Sequence, residues 1–105
     1  MVKQAVVTGV GDNVATATND LAKGTLVSMV AGEKELEVLV KEEIPFGHKF
    51  AIEDIARGEH IIKYSEPIGI AGRNITAGEH VHVKNVDSER GRGDLEPKEE
   101  RADEI

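Results

Sequence analysis

Cysteine and tryptophan are both absent from this 105-residue sequence. Without cysteine there is no disulfide and no thiolate metal site, which fits a reducing compartment. Phe46, Phe50 and Tyr64 are the only Phe or Tyr residues, so a core must be built from Val, Ile, Leu and Ala. No apolar run is long enough to span a bilayer. The opening MVKQAVV lacks the shape of a secretory signal, and the expected location is the cytoplasm. Positive charge is also scarce: 13 Lys and Arg against 20 Asp and Glu give a net charge of −7. That balance argues against sequence-independent nucleic-acid binding, which needs a basic face to displace counterions.

The length allows one domain with one modest core. The charge is uneven along it. Residues 87–105 carry eight acids and four bases, a net of −4, which leaves −3 for residues 1–86. Leu95, Ala102 and Ile105 are the apolar residues of that segment besides its glycines and proline. Too little surface is there to offset the entropy of ordering. The expected organisation is a folded domain over 1–86 and a disordered, charged tail over 87–105.

The chain repeats itself. Aligned on Gly24, Gly58 and Gly78, it reads ATNDLAKGTLV (17–27), AIEDIARGEHI (51–61) and AGRNITAGEHV (71–81). Ala17, Ala51 and Ala71 stand seven residues before the glycine, and Asp20, Asp54 and Asn74 four before. Leu21, Ile55 and Ile75 stand three before, and Val27, Ile61 and Val81 three after. Each copy is expected to be a tight turn. Its Asp or Asn bonds backbone amides just ahead, its glycine takes a positive φ, and a strand restarts beyond it. The segments before the glycines are too short and too β-branched for helices. EKELEVLVKEE (33–43) adds a half-buried strand, with Leu36, Val38 and Val40 on one face. HKFAI (48–52) resumes after the break at Pro45 and Gly47. The fold class is therefore mostly β with little helix.

VVTGVGDNVATATNDLAKG (6–24) superficially suggests a dinucleotide-binding loop. Val14 occupies the place of the third glycine, and no crossover helix or ribose-binding acid follows. The turn unit accounts for the segment better, with Gly9 and Gly11 bending the chain ahead of it.

Four histidines are the candidates for chemistry: His48, His60, His80 and His82. His60 and His80 share a repeat column, which points to a shared structural role. His80 and His82 lie two apart on one face of a strand, with Val81 and Val83 on the other. Such a pair can bind a divalent metal, but the spacing alone favours a solvated strand face. Glu59 and Glu79, each beside a histidine, read as surface residues. A domain of this size supplies a lip of an active site more readily than an enclosed one.

IPFGHKFAIEDIARGEHIIKY, AGRNITAGEHVHVKN and the opening DNVATATNDLAKG resemble the small amino-terminal domain of the altronate/galactarate dehydratase family, over residues 10–86. The resemblance implies an SAF domain of the β-clip fold. It also implies a small subunit working with a large catalytic subunit and inactive alone. The family's reaction is removal of water from a sugar acid with the help of a divalent metal, typically iron. That metal would be held mainly by the large subunit, and its ligands are left unassigned. Sulfolactate sulfo-lyase, which expels sulfite, is a close relative and gives an alternative reading; a non-catalytic SAF module that binds sugar or protein is another. Carried over residue by residue, His48 and His82 are the expected catalytic groups. Gly47, Lys49, His80 and Asn85 are the expected substrate contacts, with Lys49 on a substrate carboxylate. Asp12 and Asn13 are expected to hold the first turn. Lys84 stands where the resemblance leads one to expect a histidine.

Removal of residues 88–105 is expected to lower the melting temperature by no more than about a degree or two, given the little apolar surface there. A thermal melt of the truncated chain checks this; a large drop would show that the tail packs on the domain.

Overall fold

Nine short strands are joined by turns, and there is no helix among the described residues. The computed structural model describes residues 4–88. The tail expected over 87–105 lies outside them beyond residue 88. The strands are β1 (Ala5–Val6), β2 (Val14–Ala17), β3 (Leu26–Ala31), β4 (Lys34–Leu39), β5 (Lys49–Ala51), β6 (His60–Lys63), β7 (Glu66–Ala71), β8 (His80–Val81) and β9 (Val86–Asp87). They form an antiparallel sheet in the order β1-β2-β5-β8, a β3-β4 hairpin and a sheet ordered β6-β7-β9. The mostly β class expected from the sequence is what the chain adopts. Among the described residues no helix is long and apolar enough to cross a membrane.

The turn units are four, and they work in pairs. The unit that the sequence alignment missed runs over 40–50, around Gly47. It carries Val40 where the others have Ala, and Glu43 where they have Asp or Asn. The unit at 17–27 pairs with this one. Leu21 and Ile44 exchange N–H···O bonds of 2.8 and 2.9 Å, Gly24 N–H donates to Val40 O (2.8 Å) and Gly47 N–H to Ala17 O (2.9 Å). The units at 51–61 and 71–81 repeat the pattern. Ile55 and Ile75 exchange bonds of 2.7 and 2.8 Å, Gly58 donates to Ala71 O (2.9 Å) and Gly78 to Ala51 O (2.8 Å).

The Asp and Asn side chains act across these pairs, which corrects the expectation that each holds its own turn. Asp20 accepts from Phe46 N–H at 2.8 Å, Asp54 from Ala77 N–H at 3.0 Å and Asn74 from Arg57 N–H at 2.9 Å. Each caps its partner. Each pair also encloses its own core. Ala17, Leu21, Val27, Val40, Ile44 and Phe50 belong to one apolar cluster. Ala51, Ile55, Ile61, Ala71, Ile75 and Val81 belong to the other.

Asp12 and Asn13 hold a different turn from the one expected. The β6–β7 hairpin turns through Tyr64 and Ser65, both at positive φ (58° and 62°), a geometry that non-glycine residues resist. Asp12 stabilises it by accepting from the amides of Tyr64 (3.1 Å) and Ser65 (2.8 Å), and also from Thr8 Oγ1 and Gly9 N, both at 2.9 Å. Burial alone would raise this carboxyl's pKa, but the bonds from Ser65, Thr8, Tyr64 and Gly9 outweigh it and hold the pKa below its ordinary value. Asn13 accepts from Ile62 N–H (2.8 Å) and donates to His60 O (2.9 Å), fastening β6 to the loop before β2. Gly9 lies against Tyr64 and Ser65 so closely that a Cβ there would overlap both.

The strand expected over 33–43 is shorter, Lys34–Leu39: Val40 N–H still bonds Thr25 O in register, but Val40 O accepts from Gly24 N–H, one residue out of register, and the chain leaves the hairpin there. Gly24 and Gly78 both have positive φ (90° and 95°), but a Cβ on Gly24 meets nothing whereas one on Gly78 would overlap the Leu39 carbonyl. Gly24→Ala is expected to cost about 1–2 kcal/mol from backbone strain. Gly78→Ala should cost distinctly more. Urea unfolding of the two variants decides it, and equal losses would mean that the close approach at Gly78 does not matter.

Candidate functional site

The end of the four-stranded sheet gathers the candidate residues, and strand register explains how. β5 and β8 pair with Lys49 opposite Val81 and Phe50 opposite His80. Continued by one residue, this register sets His48 opposite His82, with His80 on the same face two residues along. Three imidazoles meet there. Their ring centres are 4.9 Å apart for His48 and His82, 5.1 Å for His48 and His80, and 5.2 Å for His80 and His82. His48 and His80 are partly buried, while His82 is exposed. The solvated strand face expected from spacing thus describes His82 but not His80, whose Nε2 lies 2.9 Å from His48 Nδ1.

The column shared by His60 and His80 carries a shared backbone role: each carbonyl receives the Nδ2 of an Asn, Asn13 or Asn85, whose Oδ1 accepts from the amide two residues on, Ile62 or His82. His60 itself lies on β6, in another sheet. Val83 departs from expectation. It is 81% exposed, because the strand ends at Val81 and a turn follows. Asn85 makes that turn. It is 2% exposed, its Oδ1 accepts from His82 N–H (2.9 Å) and its Nδ2 donates to His80 O (2.8 Å). Both ends of the amide are therefore spent on the backbone of the two histidines. Gly47 is likewise engaged by its turn through Ala17, and space is open beyond its α-carbon.

Glu42, which no spacing in the sequence singled out, sits behind the cluster. Its Oε2 accepts from His80 N–H at 3.1 Å, and its Oε1 pairs with Lys84 Nζ at 2.7 Å. Burial would raise the Glu42 carboxyl, but the bonds from Lys84 and the His80 amide, with the charges of both residues, bring it below its ordinary value. An ion pair this exposed contributes about 0–1 kcal/mol. Its significance is positional: Lys84 is tied back by Glu42, and a positive charge stays beside His80. Burial first, then the charges of Lys84, His48 and His82, lower the His80 pKa, with Glu42 opposing. Folding thus favours neutral His80. Its share of stability is present above about pH 6.5 and is lost as pH falls from there through the lower folded value.

Lys49 lies on the other face of β5, opposite Thr16 and Val81. With His82, Val83, Ile68, Asp87 and Ser88 it lines an open cleft of about 310 Å³. Burial, and then the nearby charge of Lys63, lower its pKa. Among the described residues no carboxylate pairs with it. A partly buried ammonium without a counter-ion suits an anionic ligand.

A divalent metal is a separate matter. A tridentate site needs three lone pairs converging on one point. Here two of the nitrogens face each other, and no group of three His, Asp or Glu side chains among the described residues is placed to hold a metal ion. The histidine cluster does not fit that group.

Residues 3–89 match the model of the altronate/galactarate dehydratase SAF domain. The altronate dehydratase of Escherichia coli is 49% identical over 75 residues, which make up 71% of this chain and 14% of that protein. The (2R)-sulfolactate sulfo-lyase subunit alpha of Chromohalobacter salexigens is 50% identical over 58 residues, 55% of this chain and 62% of the subunit. The subunit alpha of the same name from Paracoccus pantotrophus is 32% identical over 65 residues, 62% of this chain and 97% of the subunit. The chain therefore spans a small part of the dehydratase and under two thirds of the first of these subunits. Matched by the family model along all of its described length, the chain belongs to the altronate/galactarate dehydratase SAF domain family.

Proposed function

We propose that this chain is the small subunit of a hydro-lyase that dehydrates a sugar acid of the altronate or galactarate kind, in the cytoplasm, with a separate large catalytic subunit. The observation that carries the reading is the open edge where His82 borders both the cleft that holds Lys49 and the imidazole cluster it forms with His48 and His80. The edge offers an ammonium for a carboxylate and imidazoles for proton transfer, but no enclosure. A large subunit closing over it would complete the pocket and exclude water.

The chemistry asked of the residues is elimination next to a carboxylate. Lys49 holds the substrate carboxylate. His48 takes the proton from the carbon beside it, and the C–H electrons form the double bond as the neighbouring C–O bond breaks. Protonated His82 gives its proton to the departing hydroxyl, which leaves as water. The resulting enol ketonises to a 2-keto-3-deoxy acid. Asn85 positions His80 and His82 through their backbones in this scheme, and Gly47 shapes the turn before His48. The divalent metal, iron in this reading, belongs to the large subunit.

A second reading keeps the architecture and changes the leaving group to sulfite. It is favoured by one fact: the relatives that are named as subunits are sulfo-lyase alpha subunits. Co-purification from native cells, followed by assays of the complex, separates the possibilities. A 2-keto-3-deoxy acid from altronate or galactarate supports the dehydratase, and sulfite from sulfolactate supports the sulfo-lyase. A chain that emerges alone and binds sugars without turnover would be a binding module instead.

In the active complex, His48→Ala is expected to abolish turnover while the melting temperature stays near that of the parent. Lys49→Met is expected to raise KM about tenfold or more, the loss of a charge-assisted bond of about 1.5–3 kcal/mol. Normal turnover in the first variant, or an unchanged KM in the second, would remove that residue from the site.

A further inference from the structure

The bond between His48 and His80 is not used by the elimination scheme. Its geometry is informative. The ring centres are 5.1 Å apart and the facing nitrogens 2.9 Å. Subtracting 2.9 from 5.1 leaves about 2.2 Å for the two spans from ring centre to nitrogen, so both nitrogens lie near the line joining the centres. The rings therefore meet edge to edge, with one N–H pointing at one lone pair.

A neutral imidazole has one N–H and one lone pair, so the direction of this bond fixes both tautomers. When His48 Nδ1 carries the hydrogen, His48 Nε2 is a base. When His80 Nε2 carries it, His48 Nε2 holds a proton and is an acid. Burial and the neighbouring charges disfavour an added proton on His80. Lys84, from the turn after β8, and His82 add positive charge, and Glu42, from the loop before β5, opposes them. Lys49, next to His48, adds a further ammonium on the opposite face of the strand.

We infer that His48 and His80 are a proton-sharing pair, in which His80 is a positioning residue that sets whether Nε2 of His48 accepts or donates a proton. The use of the pair in elimination rests on the lyase reading above; the pair itself does not. In that use, a substrate proton arriving at His48 Nε2 sends the Nδ1 proton to His80 Nε2, while His82 gives its proton to the hydroxyl. The three rings then carry one extra proton before and after the step, on His82 first and on the pair afterwards. No oxidant or further reactant is needed.

The test is a ¹⁵N–¹H imidazole titration by NMR on the full chain, with the parent and His80→Phe compared. In the parent, His48 and His80 should report the same first protonation, with the second at least about one pH unit lower, as interacting sites require. In His80→Phe, the coupled second step should vanish and His48 should lose its tautomer preference. Independent single steps in the parent would overturn the pair, as would an unchanged His48 tautomer in the variant. The parent titration alone decides the matter should the variant fail to fold. Turnover by the complex without coupled titration would sink the pair and keep the lyase reading. Coupled titration in a complex that turns over none of the acids would do the reverse.

Discussion

Reciprocal bonding between turn units is the constraint on which this domain depends. A turn of this kind leaves backbone groups that must be satisfied once its flanking side chains are buried. Each unit here satisfies the other's. The glycine amide of one donates to the carbonyl seven residues before the glycine of its partner, in both directions and in both pairs. Those carbonyls belong to Ala17, Val40, Ala51 and Ala71, all at or below 1% exposure. Neither member of a pair is satisfied alone, so folding must bring the two together. The requirement is long-range: Gly24 reaches Val40, and Gly58 reaches Ala71.

The same constraint places the histidines. His48 follows Gly47, and its carbonyl receives Ala17 N–H at 2.9 Å, which fixes where β5 begins. His80 follows Gly78, and Ala51 N–H bonds Glu79 O at 2.9 Å, which fixes β8 against β5. Residues 32 apart in sequence thus arrive within hydrogen-bonding distance with little freedom to drift. Asn85 and Glu42 refine the arrangement from behind. Asn85 closes the turn on the His80 and His82 backbone, and Glu42 takes the His80 amide and the Lys84 ammonium. Glu42 and Lys84 bear opposite charges beside the partly buried His48 and His80, where Coulomb terms are screened less than in bulk water.

Much of this was legible in the sequence, for identifiable reasons. Column identity at −7, −4, −3 and +3 exposed three turns, because glycine, Asp or Asn and the inward Leu or Ile each answer to local geometry. The fourth turn was hidden because Val40, Glu43 and Phe50 depart from three columns, although Ile44 and Gly47 keep theirs. Pairing was not legible at all: that Asp20 serves Phe46 depends on which turn faces which. The face shared by His80 and His82 followed from strand period, but its limit at Val81 did not, since nothing local announces that Val83 turns outward. Glu42 carried no signal, because its role is made by contacts 38 and 42 residues away. Asn85 was legible as a residue of interest, and only the structure shows its amide spent inside the turn.

Lys84 bears on how charge is distributed at this edge. A third imidazole is present, but it comes from His48 across the sheet, while position 84 supplies a fixed cation held by Glu42. A histidine at position 84 would be neutral over much of the range near pH 7, whereas lysine is charged throughout it. Charge at that point therefore does not titrate, and the imidazoles nearby are the groups left free to do so. Lys49 and Lys63 add a second fixed positive region beside the cleft. An anion entering the cleft would meet this positive region, while His48 and His80 lie on the other face of β5. The alternation that β-structure imposes puts Lys49 and its neighbour His48 on opposite faces of one short strand, and His82 is the imidazole that borders the cleft as well as the cluster.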